Sequence, residues 1–246
     1  MVFFLYRILY LPLYYSIPLA IVLTLFIAIL VELGPYRYLR FNTASPLVLL
    51  LASIGIYIIL QNIISLIYGD ETKSIRDGMV TEGSDILGAR ITPIQLVTIV
   101  VGVSLVILCL ICMRFTRIGI YMRAVAANPE LAFVTGIDTD KVILIAFAIG
   151  SALAGIAGIL ISFDTDMTPT MGMNALMMGV VAVIIGGVGS IPGAALGAFL
   201  LAFAQNFGVW KISSQWQDAI AFIVLLLFLL LRPQGFFGKK IRKAEV

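Results

Sequence analysis

Residues 123–160 read RAVAANPELAFVTGIDTDKVILIAFAIGSALAGIAGIL. The first part is short, partly charged and well punctuated, and the second is an unbroken apolar run. Asn128 is a good helix N-cap, Pro129 suits the first helical position, Glu130 complements the positive end of the helix dipole, and Gly136 can end the helix in a left-handed conformation. This spacing predicts a helix over about 129–135, only about 10 Å long and too short to be stable alone. It must dock. Upstream, TRIGIYMRAVAA predicts a second segment that leaves the preceding apolar run and ends at the Asn–Pro pair. The resulting angled pair offers Leu131, Phe133 and Val134 as contacts, and it either packs beneath its own bundle or inserts into a partner and transmits motion. Downstream, Ala146, Gly150, Ala154 and Gly158 recur every fourth residue on one helical face, which Ser151 and Gly155 widen. Small residues let membrane helices approach backbone to backbone, so this span is expected inside a bundle.

The rest of the chain fits a bundle. Of 246 residues, 61% are apolar and only 12% charged, and the mean hydropathy is +1.12, far from the balance of a soluble domain. A bilayer span needs roughly 20 mostly apolar residues. The stretches at about 11–32, 46–68, 92–113, 141–163, 171–188, 192–209 and 217–231 qualify, giving an expected seven spans. They are too long and too continuously apolar for the strands of an outer-membrane barrel, so the expected fold is an all-α polytopic bundle forming one membrane domain over 1–246. The opening MVFFLYRILYLPLYY lacks the charged start and small-residue cleavage site of a signal peptide and is expected to belong to a span.

Lys and Arg placement gives an orientation, because positive loops stay cytoplasmic. Arg37 and Arg40 are expected in one loop, Arg114, Arg117 and Arg123 in another, and Lys239, Lys240, Arg242 and Lys243 at the C-terminus. Seven spans put these three on one side, and put the more acidic segments 69–91 and 163–169 on the other. The net charge of +3 resides mostly in these segments, so nucleic-acid binding has little support.

Much chemistry is excluded. There is no histidine, hence no Ser–His pair and no His-ligated zinc. Cys109 and Cys112 form a CxxC in the middle of an apolar run, where they read as small apolar side chains. Asp164 and Asp166 read as a solvated turn, and GFFGKK at 235–240 lacks the phosphate-loop pattern, so any ATP that drives the protein must be bound by another chain. The intervals 41–69, 91–113, 142–163 and 167–210 show none of the intramembrane charges that ion-coupled carriers use.

Glycine concentrates instead, with 11 of 22 residues between 145 and 210. GGVGSIPGAALGAFL at 186–200 places Gly186, Gly187, Gly189, Pro192 and Gly193 so that the run should break at 188–192. Such a break either packs closely in a hairpin or lines a translocation path. Gln61, Asn62, Asn174, Gln205 and Asn206 are polar groups in or near the spans, available to substrate or to another helix.

Residues 123–160 link Arg-Ala-Val-Ala, Ala-x-x-x-Gly-Ile and Ala-Phe-Ala-x-Gly-x-Ala-x-Ala-Gly-x-Ala-Gly. In this order they resemble the cytoplasmic loop and following span of the permease subunits of bacterial ABC importers for branched-chain amino acids. The likeness extends to VELGPYRYLR, ASIGIYIILQNIISLIYG, GGVGSIPGAALGAFLLAFAQNFG and DAIAFIVLLLFLLLRPQGFFGKK. It implies a non-enzymatic subunit of the inner membrane that binds no cofactor itself. Its implied partners are a second permease subunit, two cytoplasmic ATP-binding subunits and an external substrate-binding protein. It further implies that Arg123, Ala126, Ala127, Asn128, Pro129, Glu130, Leu131, Phe133 and Gly136 couple the pore to ATP hydrolysis. The family's opening spans and their Asn-Phe-Ala-His-Gly signature would precede the point where this chain begins. Transport of urea or short amides, a passive channel and a purely structural assembly subunit stay open as alternatives.

Overall fold

Polar caps set where the apolar runs become helices. Ser45 accepts from the Val48 N–H at the start of α3 (Pro46–Tyr68), and Thr92 forms a capping box with Gln95 at the start of α4 (Pro93–Phe115). Thr116 accepts from the Gly119 N–H to open α5 (Arg117–Ala127). Asp138 accepts from the Lys141 N–H to open α7 (Thr139–Asp164). The structure is a computed structural model that describes residues 2–3, 6, 12–42, 45–74, 84–86, 89–211 and 213–238. The tail residues Lys239, Lys240, Arg242 and Lys243 lie outside these. Among the described residues the architecture is an all-α polytopic bundle, with one short antiparallel ribbon, β1 (Ser84–Ile86) with β2 (Ala89–Ile91).

Among the described residues, six helices are long and apolar enough to cross a membrane. The first runs from Tyr14 to Phe41, further than the expected 11–32. The expectation that Arg37 and Arg40 lie in a loop is thereby corrected: α1 (Leu13–Val31) passes through a π turn at Glu32–Tyr36 into α2 (Arg37–Phe41), which carries both arginines. The reason is local. Pro35 has no N–H for the Val31 carbonyl and would crowd it in a regular α-helix, and the wider turn, in which the Arg37 N–H bonds the Glu32 carbonyl, carries the chain past it. The expected span at 171–188 is a 16-residue helix, α8 (Met171–Gly186), about 24 Å long and so shorter than a hydrocarbon core of about 30 Å.

Two compact units form, residues 1–105 with 111–169 and residues 106–110 with 170–246. In the first, α1 runs antiparallel to α7. Ala20 packs with Ile159 and Phe163, Thr24 meets Gly155, the Tyr36 and Phe147 rings lie 5.7 Å apart, and Arg37 pairs with Asp140 at 3.6 Å. At the opposite end, Lys73 and Met167 exchange backbone hydrogen bonds of 3.0 and 2.8 Å. The segments after α3 and α7, expected on one side of the membrane, therefore meet.

In the second unit, α8, α9 (Ile191–Lys211) and α10 (Gln217–Leu231) enclose a core of Val181, Ala182, Ile185, Leu201 and Ala221. The glycines of α8 and α9 permit backbone contact: a Cβ at Gly197 would strike the Ala182 carbonyl oxygen, and one at Gly186 the Gly193 carbonyl. Overpacking typically costs about 1–3 kcal/mol. Gly197→Val should therefore lower the melting temperature in detergent well below that of Gly150→Val, whose added Cβ meets nothing within 4 Å. Equal melting temperatures would show that α8 and α9 do not depend on this close approach.

Candidate functional site

The punctuated stretch forms as its residues dictate. α6 (Pro129–Val134) is a six-residue helix one residue shorter than expected, with Asn128 Oδ1 accepting from the Leu131 N–H at 3.1 Å. Its C-terminus is a Schellman motif: the Gly136 N–H bonds the Phe133 carbonyl, the Ile137 N–H bonds the Ala132 carbonyl, and Gly136 adopts φ +86°. Thr135 caps further by donating its hydroxyl to the Ala132 carbonyl.

Docking is as economical as the helix is short. Ala132 is buried with Val125 of α5 and Val142 of α7, flanked by Met122, Ala124, Ile137 and Ile143. One side of α6 thus holds it to its own chain. Leu131, Phe133 and Val134 remain 63%, 69% and 82% exposed, and Glu130 is exposed as well. These three apolar side chains are left uncovered by the rest of the chain. Of the other residues expected to couple, Arg123, Ala126, Ala127, Asn128 and Pro129 lie on α5 or at its junction with α6, and all five are exposed.

Beside this segment lies a charged cluster that the sequence did not single out. Glu32 is 2% exposed and pairs with Arg40, Arg37 pairs with Asp140, and Lys141 pairs with Asp138 at 2.9 Å. The Lys141 ammonium, hydrogen-bonded to Asp138, holds that carboxyl below its usual range. These side chains line a cleft of about 330 Å³ together with Leu33 and Leu144. The signal was present in VELGPYRYLR but unreadable, because Gly34 and Pro35 read as a helix stop.

The expected packing glycines divide. Gly155 meets the Thr24 methyl, where an added Cβ would stand 3.4 Å away, but an added Cβ at Gly150 or Gly158 meets nothing within 4 Å. Ala146, Gly150 and Ala154 are exposed within the chain, which corrects the expectation that this face packs in the interior of the same polypeptide. The reason is register: α7 presents Gly155 and Ile159, not the 146–150–154 row, to α1.

Gly186, Gly187, Gly189, Pro192 and Gly193 do surround a helix break, at 187–190, with φ +104° at Gly187 and +87° at Gly189. Ser190 Oγ accepts from the Gly193 N–H, and Pro192 falls in the first turn of α9. The break is closed by the C-terminal segment 232–238, whose Phe236 and Phe237 N–H groups bond the Ile185 and Gly186 carbonyls at 3.0 Å. A Cβ at Gly187 would meet the Gly238 backbone.

The amide candidates are not brought together. Gln205 is buried, and its Nε2 donates to the Gln217 carbonyl at 3.3 Å and to Met178 Sδ at 3.4 Å, so it ties helices. Asn62 and Asn206 are exposed and each donates to its own helix, to Ile58 and Ala202. Gln61 is half-buried on α3, and Asn174 is exposed on α8.

Six helices long and apolar enough to cross a membrane, among the described residues, define a multi-pass membrane protein. The family described as branched-chain amino acid transport system, permease component, matches residues 1–229, and the chain belongs to it. The chain is similar to the high-affinity branched-chain amino acid transport system permease protein LivH of Escherichia coli strain K12, at 35% identity over 85% of this chain and 69% of that protein. It is also similar to BraD of Pseudomonas aeruginosa, the permease protein of a system of the same description, at 33% over 85% and 69%. A probable LivH permease of Methanocaldococcus jannaschii is 27% identical over 94% of this chain and 76% of its own. No solved structure matches the chain.

If the caps hold α6, Asn128→Ala should cost about 0.5–2 kcal/mol of local stability, and Gly136→Val should add the strain of a β-branched residue at positive φ. Hydrogen exchange of the 131–137 amides should accelerate in both variants while exchange in α7 beyond Val142 stays unchanged. Unaltered exchange at 131–137 would show that the caps are not what holds the helix.

Proposed function

We propose that the chain is a pore-forming permease subunit of an ATP-driven importer for branched-chain or other small neutral amino acids. Four further components complete the proposed assembly: a second permease subunit, two cytoplasmic ATP-binding subunits and an external substrate-binding protein. ATP is consumed in the partner subunits, and this chain contributes no nucleotide chemistry. It is proposed to lie in the inner membrane, with the α5–α6 segment and the C-terminus cytoplasmic on the weight of their Lys and Arg content, an arrangement in which the short α8 crosses as well.

The observation that carries this reading is α6. A six-residue helix with a side-chain N-cap, a Schellman C-cap and one buried residue exposes three apolar side chains outside the spans. A passive channel has no need to maintain such a surface. A helix-sized knob held at both ends suits a groove on a partner that opens and closes. Displacement of the knob pulls on α5 and α7 through Val125 and Val142, and so tilts membrane helices. Amino-acid transport is supported by the names of the similar proteins from Escherichia coli and Pseudomonas aeruginosa. The uncharged stretches 46–68 and 171–210 agree with a division of labour in which the external binding protein selects the substrate.

Two experiments test this. Co-expression with the ATP-binding subunits should give co-purification that Phe133→Asp reduces at least about tenfold, the scale of a lost interface anchor, while membrane insertion is kept. Undiminished co-purification would return α6 to the role of a packing element. For sidedness, an impermeant thiol reagent applied from outside should label Glu71→Cys and spare Val134→Cys; the reverse pattern would overturn the proposed orientation.

A further inference from the structure

We infer that the Glu32–Tyr36 π turn is a hinge in the first membrane helix, locked by the Glu32–Arg40 ion pair, and that its far arm α2 moves with α7 rather than with α1. This rests on the proposal that α6 receives motion from an ATP-binding subunit.

The hinge comes from the chain itself. Gly34 and Pro35 sit inside the turn, and Pro35 leaves the Val31 carbonyl without its α-helical donor. Sharp bends in long helices concentrate at proline and at π turns, and both coincide here. Arg40 lies eight residues beyond Glu32 on the other side of the turn, so their ion pair spans it. Glu32 is almost fully buried, and separating it from its counter-ion leaves a buried charge uncompensated, which makes the pair a lock rather than a surface ornament. The lock is not saturated: Arg40 Nε is buried without an acceptor among the described residues.

The far arm is tied to α7 by Arg37 to Asp140, and the last residue of the turn by the Tyr36 ring to the Phe147 ring. Asp140 is four residues past Gly136, where α6 ends, and two past Asp138, which caps α7. Movement of α6 reaches Asp140 through one short, capped turn. The cleft of about 330 Å³ between these charged groups gives α2 room to move without displacing packed side chains.

The test uses the purified complex with its ATP-binding subunits, on a background in which Cys109 and Cys112 are replaced by serine. Spin labels are placed at Tyr38 with Val22, across the turn, and at Tyr38 with Ile161, from α2 to the far end of α7. Trapping with ATP should shift the 38–22 distance distribution and leave the 38–161 distribution in place, and Glu32→Gln should broaden 38–22 already without nucleotide. An unchanged 38–22 distribution in both cases would overturn the hinge.

Transport gives a second readout. Arg37→Glu should reduce substrate imported per ATP hydrolysed about two- to fivefold, the range open to a half-exposed ion pair, and adding Asp140→Arg should restore it. Failure of the swap to restore it would overturn the Arg37–Asp140 link. If the wild-type chain does not assemble with ATP-binding subunits, both this inference and the proposed function fail; if it assembles and 38–22 does not respond, only the hinge fails.

Discussion

Hydrocarbon offers no water to a backbone N–H or C=O, so every departure from regular helix in a membrane chain must bring its own hydrogen-bond partners. Each irregularity here does so in a different way. At Gly34–Pro35 the backbone widens into a π turn in which the Arg37 N–H reaches the Glu32 carbonyl. Between α8 and α9 the left-handed glycines 187 and 189 turn the chain, and two N–H groups of the C-terminal segment cover the carbonyls of Ile185 and Gly186. At the helix starts, Ser45, Thr92, Thr116, Asn128, Asp138 and Ser190 supply oxygen acceptors from side chains. Because these partners come from fixed neighbours, the breaks become defined joints rather than loose ends.

Two consequences reach toward function. In the first unit, the antiparallel pairing of α1 with α7 puts Arg37 beside Asp140 at one end, while the Lys73–Met167 bridge joins the segments after α3 and α7 at the other. The two contacts lie at opposite ends of the α1–α7 pair, the one an ion pair and the other a backbone bridge. The end with Arg37 and Asp140 also carries α6, a short capped helix whose Leu131, Phe133 and Val134 are exposed.

Legibility in the sequence followed the range of the forces involved. The caps and the Gly136 turn act within four residues, so NPELAFVTG disclosed a helix, its direction and its ends, and SIPG disclosed the α8–α9 break. Partners far along the chain were not disclosed. Glu32 is buried because Arg40 folds back over a turn whose Gly-Pro composition reads as a stop, so the first helix looked shorter than it is. The 146–150–154 row of small residues resembles a packing stripe, yet the register set by Thr24 against Gly155 turns a neighbouring row inward. Gln205 could equally have faced a substrate; burial against Met178 and the Gln217 carbonyl assigns it to helix packing. The length of α8 depended on Gly187 taking a positive φ, which brings the helix to an end at Gly186.

In the proposed assembly, α6 is where the permease meets the ATP-binding subunit that drives it. The most direct measurement places a photoactivatable benzoyl-phenylalanine at Phe133 in cells expressing the complete transport system, with a matched control at Trp210, an exposed aromatic at the end of α9. Coupling through α6 predicts a light-dependent adduct between position 133 and the ATP-binding subunit that is absent from position 210. Adducts of position 133 with the permease chain alone, or equal adducts from both positions, would contradict it.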